Sequence, residues 1–168
     1  MRKNNKGFSY VEFLLVIAIM AILITMISIT MGLLSSTNVN RGAEKLSSSL
    51  DRARNVAMAK GTSRGTIEIT SDGDKCYCFV GSSSSPNKLE EREQLSASPV
   101  VIGYFESGNS DMITVSPTTP LVIRYDQSTG TFLALSNGEY CEKIVFTNGD
   151  ATAEIVLYPA TGKSELVY

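Results

Sequence analysis

Few residues in this chain of 168 can do chemistry, and their types narrow it sharply. There is no His, which removes the commonest general base and metal ligand, and with them a His-dependent triad, an HExxH zinc site and a two-His iron site. The only thiols are Cys76, Cys78 and Cys141. Cys76 and Cys78 stand at i, i+2, one face of a strand, which is not the C-x2-C spacing of zinc or redox sites. In an oxidising compartment a disulfide could join Cys141 to Cys76 or to Cys78; in a reducing one all three would be buried thiols. No nucleophile motif accompanies them, so no enzyme activity and no cofactor or metal is expected. The remaining conspicuous residue is Glu12, a carboxylate at the start of an apolar run, where an ionised group is expensive and usually functional.

The element that carries Glu12 is read from the run itself. Phe13 to Asn40 holds no charged residue, and Phe13 to Leu34 is almost wholly apolar. About 20 such residues span a bilayer as a helix. Arg2, Lys3 and Lys6 precede the run, which predicts a cytoplasmic N-terminus and the rest of the chain outside, as a single-pass membrane protein. The run is too long for a cleaved secretory signal. No Pro occurs before Pro86, so one helix could run from Phe8 to about Lys60, roughly 53 residues or ~80 Å. Gly32 to Gly42, rich in Ser, Thr and Asn, is its weak zone. Beyond it Ala43, Leu46, Leu50, Ala53 and Ala57 recur at steps of 3 and 4, an apolar stripe.

From Gly61 the period changes to two. Strands are expected at 66–70, 75–80, 100–105, 112–115, 121–125, 131–135, 143–147, 153–158 and 164–168, separated by turn residues such as Asp72-Gly73, Asn137-Gly138, Asn148-Gly149 and Thr161-Gly162. Gly81–Pro99 is a polar insertion with room for a helical turn. Residues 61–168 carry seven Lys/Arg against fourteen Asp/Glu, which argues against nucleic acid as a partner. The expected fold class is α+β: a long N-terminal helix, membrane-spanning in its first half, packed by its second half on an antiparallel β-rich head. The expected organisation is 1–7 leader, 8–34 membrane and assembly half of the helix, 35–60 amphipathic half, and 61–168 head.

Lys6-Gly7-Phe8-Ser9-Tyr10-Val11-Glu12-Phe13-Leu14-Leu15-Val16-Ile17-Ala18-Ile19 resembles the signal of type IV prepilins and type II secretion pseudopilins. The resemblance implies cleavage by prepilin peptidase between Gly7 and Phe8 and N-methylation of Phe8. It also implies filament assembly in which Glu12 meets the N-terminal amine of a neighbouring subunit. The implied partners are that peptidase, the cytoplasmic membrane, and other pilins through the N-terminal helix. Leu46-x3-Leu50-x2-Ala53-Arg54-x2-Ala57, with Thr161-Gly162 in the last hairpin, is similar to the GspH/FimT-type minor pseudopilins. Some of these contact DNA through basic residues after that Gly; here Lys163-Ser164-Glu165 follows. The expected function is therefore a minor pilin or pseudopilin. The alternatives are a DNA-capturing subunit of a competence pilus and an uncleaved, signal-anchored surface protein.

Overall fold

The computed structural model describes residues 9–73, 75–82, 91–96, 99–149 and 151–168, with the backbone alone over 25–35. The chain divides into two compact units, Met1–Leu34 and Ser35–Tyr168, and the division falls inside the weak zone Gly32–Gly42.

Helical backbone, α1, is assigned to Tyr10–Lys60, and its described side chains form two short stretches, 10–24 and 36–60. Among the described residues no helix is long and apolar enough to cross a membrane. The expected long N-terminal helix with a membrane-spanning first half is corrected on this ground. The expected single-pass location, with a cytoplasmic N-terminus and the rest outside, does not hold either.

Within Ser35–Tyr168 the stripe organises everything. Val39, Ala43, Leu46, Leu50, Ala53 and Ala57 are fully buried and share one core with the inward residues of two sheets. The first sheet has the order β3-β2-β1-β6, from β1 (Ile67–Asp72), β2 (Lys75–Val80), β3 (Glu93–Gln94) and β6 (Leu121–Ile123). The second has the order β5-β4-β7-β8-β9, from β4 (Val101–Glu106), β5 (Ile113–Thr114), β7 (Cys141–Asn148), β8 (Ala151–Tyr158) and β9 (Lys163–Val167). Every strand pairing is antiparallel, as short connections without crossover helices require.

Period-two patterning sets the faces. In β8, Ala153, Ile155 and Leu157 point inward, and the register sets Ile155 opposite Ile144 and Ala153 opposite Phe146. Large faces small in the second pair, which leaves room for the Phe146 ring beside Gly42, where a Cβ would lie 3.3 Å from that ring. The hairpin expected at Asp72-Gly73 joins β1 to β2, with Asp72 opposite Lys75. Two strand expectations change. Residues 131–135 contribute only the bridge Tyr125–Phe132, whose rings sit 4.7 Å apart. The insertion 81–99 yields β3, held by Leu95 N–H to Cys76 O at 2.8 Å, and the expected helical turn falls mostly outside the described residues.

The small residues of the stripe have a steric cause. A Cβ on Gly65 would overlap Ala57 and the Ala53 carbonyl, so the chain leaving the helix lies directly on it. Larger residues at 53 or 57 would push it off.

Candidate functional site

Gly7 and Phe8, the expected cleavage and methylation positions, lie outside the described residues. The first described site residue is Glu12. Its Oε2 accepts the backbone N–H of Ser9 at 2.9 Å, and the Phe13 N–H closes the first helical bond to Ser9 O at 3.1 Å. Ser9 is therefore the N-cap and Glu12 the third helical residue, one half of a capping box. Its charge also suits the positive end of the helix dipole. The S-x-x-E spacing at 9–12 could have shown this from sequence alone. Glu12 is exposed, so its carboxylate is reachable from outside this chain.

The helix that follows is unusual for its surface. All twelve large apolar residues from Tyr10 to Ile24 are exposed, from Leu14 and Val16 at just under half to Tyr10 at 75%. Contiguous apolar surface of this kind marks an interaction site, because water around it is unfavourable.

Of the two alternatives for the three cysteines, a disulfide or buried thiols, the structure has the thiols. Cys76, Cys78 and Cys141 are free and buried. Cys76 and Cys78 share one inward face of β2, as the i, i+2 spacing requires, and Cys141 begins β7 in the other sheet. Each thiol has its own acceptor: Val100 O at 3.0 Å for Cys76 and Ser49 Oγ at 3.6 Å for Cys78. Cys141 faces Lys143 O at 3.9 Å. Burial raises all three thiols, Cys141 to about 12, which keeps them protonated and unreactive near neutral pH. Among the described residues no group of three or more His, Cys, Asp or Glu could hold a metal ion.

Arg54 is the residue whose role the sequence reading missed. Its Nε donates to Gly130 O and its Nη2 to Thr161 O, both at 2.9 Å. The helix end thus clamps two turns distant in sequence. Both turns are shaped for it. Gly130 and Gly162 have positive φ (67° and 63°), and a Cβ on Gly162 would run into the Gly130 carbonyl. Asp126 closes the first turn by accepting from the amides and hydroxyls of Ser128 and Thr129. Those bonds hold its carboxyl at about 2. A lone Arg inside the Ala-Arg-x2-Ala pattern was the available signal.

Tyr158 Oη donates to Glu165 Oε2 at 2.8 Å, which sets a carboxylate two residues from Lys163. No known protein family, curated protein or solved structure matches the chain.

Proposed function

We propose that this chain is a minor pilin or pseudopilin, a structural subunit of a type IV pilus-like filament or a type II secretion pseudopilus. A prepilin peptidase removes residues 1–7, and Phe8 becomes the methylated N-terminus. The helical stretch 10–24 is the assembly element, buried against the same stretch of neighbouring subunits. The observation that carries this reading is the exposure of every large apolar side chain from Tyr10 to Ile24 directly behind the Gly7-Phe8 pair. A filament supplies the cover that the chain lacks by itself.

Glu12 supplies the register. In the filament its carboxylate exchanges the Ser9 amide for the α-amine of a neighbour's Phe8. Two unit charges ~4 Å apart at an effective dielectric of ~20 attract by about 4 kcal/mol before desolvation. The gain exists only after cleavage and only between subunits, so it selects a stagger rather than folding the monomer.

Mass spectrometry of the N-terminal peptide, from cells with and without prepilin peptidase, tests this. The expected peptide begins at N-methyl-Phe8 in the first strain and at Met1 or Arg2 in the second. Retention of residues 1–7 in both strains overturns the proposal and favours the uncleaved alternative.

A further inference from the structure

A cleft of about 460 Å³ opens in Ser35–Tyr168, lined by β4, β6 and the segments beside them, among them Tyr104, Glu106, Pro120, Arg124 and Leu135. Its most telling group is Glu106. The residue is only 9% exposed, and among the described residues its carboxylate accepts no hydrogen bond and joins no ion pair; only its backbone carbonyl accepts, from Asn109 N–H. A carboxylate removed from water without a partner is costly, and buried charges are normally paired.

The local backbone explains how it arrives there. Phe105 pairs with Lys143, but Glu106 pairs with Cys141, so the register slips by one residue between them. The extra residue, Glu142, lies on β7, and Glu106 keeps to the face of β4 that carries Ile102 and Tyr104. The cation paired across from Phe105, Lys143, is engaged elsewhere. The Lys143 ammonium lies 3.1 Å from the Glu154 carboxylate and 4.8 Å from the centre of the Phe105 ring.

The second charge in the cleft is Arg124. One of its nitrogens donates to Ala134 O at 3.0 Å, which fixes the guanidinium and leaves other N–H donors of its five available. It forms no ion pair with Glu106 although both line the same cavity. The phenol of Tyr104 is raised, first by burial and then by the Glu106 carboxylate, so it stays protonated as a further donor or acceptor at the wall. Leu135 and Pro120 supply apolar surface.

An acid and a base held apart across one cavity call for a ligand that carries both opposite charges. We propose that the cleft binds a small zwitterion of the amino-acid or short-peptide class, its ammonium on Glu106, its carboxylate on Arg124 and an aliphatic side chain against Leu135 and Pro120. The volume falls within the range of small-ligand sites. A lone carboxylate is too few oxygens for a dedicated metal cage, and Glu106 repels a simple anion. The cleft is built wholly within Ser35–Tyr168, so this inference stands apart from the filament reading.

Leucyl-leucine titrated into the full-length protein by calorimetry tests it, beside N-acetyl-leucyl-leucine, leucyl-leucinamide and calcium chloride. One-to-one binding of the free dipeptide is expected. N-acetylation and Glu106→Gln should each weaken it by about tenfold or more, since each removes a charge-assisted hydrogen bond. Amidation and Arg124→Gln should weaken it in the same sense. Glu106→Gln should melt no lower than the wild type, because it removes a buried charge. If that variant fails to fold, the ligand series on the wild-type protein decides alone. No binding at millimolar dipeptide, equal binding of the acetylated and free forms, or a response to calcium alone would each overturn the assignment.

Discussion

The stretches 10–24 and 36–60 are both helical, yet they owe their stability to opposite sources. In 36–60 the apolar residues keep to one stripe, and Leu46 and Leu50 are fully sealed from water. In 10–24 apolar residues surround the axis, and every large one is exposed. The first helix is completed inside its own chain. The second carries its Glu12 cap and leaves its large apolar residues open to water, so 10–24 depends on what it meets. The lesson is that helical assignment says nothing about where the stabilising free energy lies; the angular spread of apolar residues does.

The sharpest way to break this contrast is a matched pair of truncations. Leu46→Ala should cost about 2–5 kcal/mol in denaturant unfolding, the range for a buried leucine. Leu15→Ala should cost within about 0.5 kcal/mol in the same assay, because no packing is lost. Equal costs would erase the distinction. Next comes Gly65→Ala, whose Cβ would press on Ala57 and the Ala53 carbonyl; overpacking of this kind costs about 3 kcal/mol, read as a lower Tm. Arg54→Ala should cost about 1–2 kcal/mol, since its two charged hydrogen bonds are partly open to solvent. Amide exchange at Gly130 and Gly162 should rise with it. Glu12→Gln should shift the unfolding of Ser35–Tyr168 not at all and loosen the start of helix 10–24 by about 0.5 kcal/mol, visible as faster exchange of the Ser9 amide.

The smallest effect concerns pH. The folded Asp126 carboxyl sits at about 2, below the ~3.9 of an unfolded aspartate. Its contribution is therefore full above pH ~4 and fades as the pH falls towards ~2. Following the Ser128 and Thr129 amide shifts through that window checks it. A midpoint near the unfolded value would mean the turn is not formed as described.

Much of the β architecture was legible because alternation and turn residues agree. β2 spans Lys75–Val80, the range its pattern predicts, and the Asp72-Gly73, Asn148-Gly149 and Thr161-Gly162 turns all fall between paired strands. The stripe was legible for the same reason, a period held over four turns. Three features were not. Residues 131–135 alternate like a strand, but Asp126 and Gly130 tie the preceding turn so tightly that only Phe132 bridges back. Glu106 lies one residue past the expected strand 100–105, and the strand's extension to Glu106 is what places its carboxylate on the face of Ile102 and Tyr104. The run from Phe13 was long enough on paper for a membrane span, but among the described residues no helix is long and apolar enough to cross a membrane. The candidate site was legible at Glu12 as a position, and its S-x-x-E spacing from Ser9 held the cap as well.

The Arg54 clamp also has a consequence in time. Its acceptors lie 76 and 107 residues further along the chain. At translation rates of about 5–20 residues per second, the helix end waits about 5–20 s before Thr161 exists to receive it. For most of that interval β8, which shares the core with the Ala43–Ala57 stripe, has not been made. The nascent subunit thus emerges with its stripe uncovered, and its half-life during synthesis depends on whatever shields that stripe until the last hairpin arrives.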